Sequence, residues 1–163
     1  MKGDDRRRVV VLVCGEPERG DDAAALLAVE RLPEWVIAAA GIRTCGALQV
    51  EDLLAVGPDE ACLIVDAAVG VPPGQIVSGS LESLVSGGAR ERAGPGPRST
   101  HVLPIGDALA LAEVLRPGLP AGGYVAIGGA SFGLGEGLSP AVQAALPAYA
   151  GTIAGEIEHL AGG

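Results

Sequence analysis

Five consecutive aliphatic residues, Val9 to Val13, are followed by a Gly/Pro loop and then by an Ala/Leu-rich segment that opens with two acids. An apolar run without polar alternation predicts a strand buried on both faces, and the next segment predicts a helix that returns over the sheet. We expect Asp21 to accept amide hydrogens of the first helical turn and Asp22 to suit the positive end of the helix dipole. These acids therefore follow a central parallel strand at its carboxyl end, where open α/β sheets build their sites.

Strands and helices are expected to alternate along the rest of the chain. Besides the first strand at 8–14, buried strands are expected at 35–43, 61–66 and 124–128, with a short one at 75–77. Helices are expected at 22–31, 47–56, 107–116 and 140–159, the last after the start signal Ser139-Pro140. Residues 44–46 are expected to turn, and residues 86–98 to form a mobile loop. This order predicts one domain over residues 1–163, a three-layer α/β/α fold whose mostly parallel, twisted sheet of about five strands has helices on both faces.

Composition excludes several classes of partner. Apolar residues make up 48% of the chain but aromatic residues only 2%, so the core is expected to consist of aliphatic side chains. The net charge of −9 argues against nucleic acid or an anionic membrane as the main partner. The apolar run after Arg8 is too short for a signal peptide, and no later run reaches the length of a membrane span. We therefore expect a cytoplasmic protein, and the lack of an apolar stripe in the sequence favours a monomer.

The three cysteines, Cys14, Cys45 and Cys62, do not form a Cys-x-x-Cys motif. Cys14 and Cys62 lie in apolar, strand-like runs, which is typical of buried structural cysteines. Because cytoplasmic thiols are kept reduced, the expectation is three thiols rather than disulfides or metal ligands.

Three polar residues recur at strand ends or at the start of a helix, namely Asp22, Asp66 and His101. The predicted fold can gather their loops along one edge of the sheet. Two carboxylates and one imidazole form a plausible site for a divalent ion, and without a thiolate they fit nickel, zinc or manganese without selecting among them. Each residue also has a structural interpretation, as a helix cap, a loop-binding acid or a solvated histidine. The residues alone thus predict an α/β domain with a candidate metal site.

Four segments of the chain resemble, in order, the sequence blocks of the hydrogenase maturation endopeptidases. They are residues 15–22, residues 63–67 with 72–74, residues 99–101 with 107–108, and residues 135–140. The first segment, Gly-Glu-Pro-Glu-Arg-Gly-Asp-Asp, resembles the family's Gly-Asn-x-x-x-x-Asp-Asp/Glu loop. The sequence departs from the family pattern at Glu16, which replaces the usual Asn, and at Val13 and Ala23, which replace glycines.

This resemblance implies an endopeptidase that removes the C-terminal extension of a nickel–iron hydrogenase large-subunit precursor after nickel insertion. The precursor is the implied partner and presents the nickel, although other divalent metals are expected to bind in vitro. Carried over, the family's metal contacts, which are also its catalytic residues, fall on Asp22, Asp66 and His101. The secondary candidates are Glu16, Asp21 and Glu136.

Alternatives remain at this level. A non-catalytic nickel-binding assembly factor would keep the fold after the change at Glu16 removed cleavage, and a small-molecule hydrolase or binder would use the same sheet edge. Glu16 would either add an oxygen near the metal or alter how the substrate's tail is held. Within the protease hypothesis, either a metal-polarised water or a carboxylate (Asp22 or Asp21) begins the attack. The loops at 86–98 and 132–137 are candidates for gripping the tail.

Overall fold

The structure is a computed structural model that describes residues 6–85, 98–99 and 105–163. In these ranges, six strands form one sheet with the order β2-β1-β3-β6-β4, and β5 pairs with the end of β3. The strands are β1 (Val9–Cys14), β2 (Ala40–Gly46), β3 (Ala61–Val69), β4 (Ile76–Ser80), β5 (Arg98–Ser99) and β6 (Gly122–Gly128). The three pairings among β2, β1, β3 and β6 are parallel, whereas β4 and β5 are antiparallel to their neighbours. The predicted, mostly parallel α/β sheet is confirmed.

Helices cover both faces of the sheet. They are α1 (Ala24–Val29), α2 (Glu34–Ala39), α3 (Val50–Leu54), α4 (Ile105–Leu115) and α5 (Pro140–Gly162). A 3-10 turn at Gly20–Ala23 precedes α1, and residues 81–85 are also helical. Pro140 occupies the first turn of α5, as the start signal predicts. No helix in the described part of the chain is long and apolar enough to cross a membrane.

The alternating side chains of β1 join two hydrophobic layers. Val9, Val11 and Val13 pack into the layer that contains residues of α1, α2 and α5. Val10, Leu12 and Cys14 pack into the opposite layer, which contains residues of α3 and α4. Because successive side chains of a strand point to opposite faces, an unbroken aliphatic run is what a strand between two helical layers requires. Because β1 lies between β2 and β3, its final residue and the loop that follows lie beside the ends of both neighbouring strands.

The second strand lies later in the chain than the sequence analysis predicts. The expected strand at 35–43 is wrong for its first half, where α2 forms after Pro33, and β2 continues through the expected turn at 44–46. The expected buried strand does not form because only Val36 is buried here, whereas Trp35 and Ile37 are 58% and 41% exposed, and the segment is a helix with a single buried position. A short apolar run does not distinguish a strand from a helix by periodicity alone.

Other boundaries also differ from the predictions. The third strand continues past Asp66 to Val69 because β6 pairs with it as far as Ala68. The first helix is shorter than expected: its opening is a 3-10 turn and it ends at Val29. Most of the expected mobile loop lies outside the described residues, as do Thr100 and His101. The sequence around residues 99–101 predicts the start of a helix, but Ser99 instead pairs, with Arg98, with the end of β3.

Candidate functional site

Asp66 and Asp22 lie at the same edge of the sheet. The pairing of β1 with β3 ends at Val13 and Val65, so Asp66 is the first β3 residue beyond it, level with the end of β1. The 3-10 turn that contains Asp22 packs against β3. Both side chains are buried, each with 4% of its surface exposed. Two carboxylates with little access to water therefore lie where β1 ends, one on β3 and one in the turn after β1, and the carboxyl end of a parallel strand is the usual location of sites in open α/β sheets.

The loop after β1 holds Asp22 by close backbone contacts. The Glu16 amide donates a hydrogen bond to Asp22 Oδ2 at 3.0 Å, and the Gly15 amide donates to the Gly46 carbonyl at 2.8 Å. Gly15 has a φ of 129°, and a Cβ at this position would overlap the Asp22 carbonyl oxygen. Only glycine accepts both the positive φ and this close approach. The glycine therefore fixes how the chain leaves β1 and where it brings Asp22.

Asp21 joins two loops and does not cap its own helix, so the expected capping role is wrong. Asp21 Oδ2 accepts hydrogen bonds from the Ala130 amide (2.7 Å), the Ser131 amide (3.1 Å) and the Ser139 hydroxyl (2.8 Å), and Oδ1 accepts one from the Ser139 amide (2.7 Å). The side chain is fully buried. Burial alone would raise the pKa of Asp21, but these hydrogen bonds outweigh it and hold that pKa below the ordinary carboxyl value.

Backbone hydrogen bonds reinforce the same connection. The Asp21 amide donates to the Ser131 carbonyl at 2.8 Å, and the Gly20 amide donates to the Glu136 carbonyl at 3.1 Å. Gly135 in turn donates to the Glu18 carbonyl at 2.8 Å. The loop after β1 and the loop at 129–139 thus form one hydrogen-bonded unit beside the edge that holds Asp22.

The other two secondary candidates, Glu136 and Glu16, differ in their surroundings. The Glu136 carboxylate contacts the Ser131 hydroxyl in its own loop. The Glu16 side chain is exposed and lies beside Gly46, where a Cβ would be 3.0 Å from Glu16 Oε1. Glu16 therefore lies at the start of the loop that holds Asp22, next to the end of β2.

Tyr149, a residue that the sequence analysis missed, holds the backbone at Asp66. Its hydroxyl donates to the Asp66 carbonyl at 2.8 Å, and its side chain is completely buried. Burial first, and the negative charge of Asp66 next, raise the pKa of Tyr149 well above its ordinary value. A signal was available, because a tyrosine spaced between Leu146 and Ile153 on a mostly apolar helix indicates a core position whose hydroxyl needs a partner.

Replacing Tyr149 with Phe should lower the free energy of unfolding by about 1–2 kcal/mol, because the hydrogen bond to Asp66 is lost while the ring still fills the core. Urea denaturation of the two proteins measures this difference. Tyr124→Phe is the matched control, since Tyr124 is only partly buried. Equal destabilisation by the two substitutions would contradict the role given to the Tyr149 hydroxyl.

The ligand set with His101 remains a prediction, because that residue lies outside the described ranges. Within the described ranges, no three His, Cys, Asp or Glu side chains are grouped to hold a metal ion. Asp22 and Asp66 supply the oxygen donors that fit a divalent ion of hard or intermediate character.

The chain matches known proteins by its structure. No protein-family model matches it, and no curated protein does. The NiFe hydrogenase maturation protease HybD from Thermococcus kodakarensis is 24% identical, with 94% of this chain and 99% of that chain covered and a TM-score of 0.69. The hydrogenase maturating endopeptidase HybD from Escherichia coli is 21% identical, with 93% of each chain covered and a TM-score of 0.72. The chain has the fold of the hydrogenase maturation proteases. The two matches extend over 94% and 93% of this chain.

Proposed function

We propose that this chain is an endopeptidase that removes the C-terminal extension of a nickel–iron hydrogenase large-subunit precursor after nickel insertion. The proposal rests on one observation: two buried acids, Asp22 and Asp66, lie at the same edge of a sheet with the maturation-protease fold. They are also the positions that match the metal contacts of the resembled family. The net charge of −9 further favours a protein partner over nucleic acid. We place the reaction in the cytoplasm and propose that the enzyme acts as a monomer.

Nickel belongs to the substrate in this proposal, and it would polarise the scissile carbonyl or an attacking water. Asp22, Asp66 and His101 would bind it. The protein's own contribution is orientation: the Glu16 amide fixes Asp22 Oδ2, and the Ala67 amide fixes Asp66 Oδ1 at 2.8 Å. Low exposure of both carboxylates limits competing water, and one of them would accept the proton of the attacking water.

The test is to incubate the purified protein with nickel-loaded precursor and to follow the mass of the precursor. We expect a product shortened by the extension, and no shortening of nickel-free precursor, which supplies no bridging metal. A precursor that binds the protein and stays intact would overturn the protease proposal in favour of an assembly factor. Cleavage of a small ester that is unaffected by His101→Ala would instead indicate a small-molecule hydrolase.

A further inference from the structure

Two of the three thiols lie in contact beside the candidate site. Cys14 at the end of β1 and Cys45 on β2 have their sulfur atoms 3.6 Å apart. The regular pairing of these strands slips at this point, because Val13 pairs with Thr44 but Cys14 pairs with Gly46. Cys45 is therefore the extra residue of an irregular strand pair, and the slip turns it toward Cys14. All three cysteines are reduced thiols in the structure.

We propose that Cys14 and Cys45 are a redox-sensitive pair that closes to a disulfide. A disulfide bond is about 2.05 Å long, so the two sulfur atoms must approach by about 1.5 Å from their contact distance. Side-chain rotation and a small shift at a strand irregularity supply such a movement more readily than a regular sheet does.

Cys62 is too far from Cys14 to form a disulfide with it. Cys62 lies on β3 and pairs with Val10 of β1, which is four residues before Cys14. At about 3.3 Å per residue, Cys14 and Cys62 are offset by about 13 Å along the strand direction, well beyond the roughly 7 Å between Cα atoms that a disulfide spans. Burial raises the pKa of Cys62 to about 12, and the contact with Cys45 together with burial raises the pKa of Cys14 further, so distance and not acidity separates Cys62 from the pair. Cys62 therefore provides an internal reference for the reactivity of the other two.

A low-molecular-weight disulfide can oxidise the pair by thiol–disulfide exchange. The different exposure of the two thiols determines which of them reacts first. Cys45 is partly exposed and Cys14 is fully buried, so the Cys45 thiolate attacks the oxidant first. This attack forms a mixed disulfide and releases one small thiolate. The Cys14 thiolate then attacks the Cys45 sulfur and displaces the second small thiolate. Both protons of the protein thiols pass to the released thiolates, so two small thiols form for each protein disulfide.

This disulfide would fasten the base of the loop that holds Asp22. Cys14 immediately precedes Gly15, whose amide already donates to Gly46 at the end of β2. A covalent link between β1 and β2 would make that connection permanent until reduction.

The experiment exposes the folded protein to oxidised glutathione, removes the oxidant, unfolds the protein in denaturant, blocks the remaining thiols with a maleimide and measures the mass of the product. We expect one maleimide instead of three, and a cross-linked peptide pair containing Cys14 and Cys45. The melting temperature should rise by about 5–10 °C after oxidation and return after reduction, since the cross-link restricts the unfolded chain.

Single substitutions separate the roles of the three thiols. Cys62→Ala should still form the cross-link, whereas Cys14→Ser should stop at a glutathione adduct on Cys45. Cys45→Ser should leave Cys14 unmodified in the folded protein. Three maleimides on the oxidised wild-type protein, or a cross-link that includes Cys62, would overturn the proposal. Peptide mapping of the wild-type protein identifies the cross-linked cysteines even where a variant fails to fold.

Discussion

Asp66→Asn should lower the rate of precursor cleavage by about 100- to 10,000-fold, the range expected when a group that takes part in proton transfer is removed. Asn has nearly the same shape, and its amide oxygen would still accept the hydrogen bond that the Ala67 amide donates. What it lacks is the negative charge and the ability to accept a proton. The measurement is the initial rate of product formation from nickel-loaded precursor, followed by mass spectrometry.

Asp59→Asn is the matched control for this prediction. Asp59 is an exposed acid shortly before β3, so the same chemical change there should leave the rate unaltered. Asp22→Asn should reproduce the loss seen at Asp66, because both acids lie at one edge. Full activity of a correctly folded Asp66→Asn protein would remove this carboxylate from the reaction and leave the proposed function without its main support.

The parts of the fold that the sequence predicts well depend on short-range patterns. Val9–Val13 identifies the central strand because burial on both faces leaves no polar residue in the run, and Ser139-Pro140 marks a helix start by local chemistry alone. Asp22 and Asp66 are predicted as site residues because of their positions after buried strands. Parallel strands bring such positions to a common edge, so chain order was enough to place both acids there.

The missed features depend on contacts between distant parts of the chain. The hydrogen-bond partners of Asp21 lie 109 to 118 residues further along the chain, so its local sequence suggests only a helix cap. The Cys14–Cys45 contact depends on a slip of strand register, which residue types do not reveal. The predicted position of the second strand is wrong for a different reason. A short apolar run followed by alanines fits a helix as well as a strand.

Asp21→Ala should lower the free energy of unfolding by about 4 kcal/mol or more, since it leaves four donors of the 130–139 region without their buried acceptor. Urea denaturation measures the loss. Ser139→Ala removes a single donor and should cost about 1–2 kcal/mol, while Asp59→Ala should cost little. Losses of equal size at Asp21 and Asp59 would show that the loop connection does not depend on this carboxylate.

The pH dependence of unfolding provides a second, independent measure of the Asp21 connection. Because the hydrogen bonds hold the folded-state pKa of Asp21 below its unfolded value of 3.8, the charged form stabilises the fold fully above that value. This contribution is lost as the pH falls below 3.8 and through the lower folded-state pKa. Between pH 5 and pH values below 3.8, the free energy of unfolding should therefore fall more for the wild-type protein than for Asp21→Ala. Plotted against pH, the free energies of the two proteins should converge at low pH. Parallel curves over that range would mean that Asp21 titrates alike in both states, and the loops would then be joined by their backbone hydrogen bonds alone.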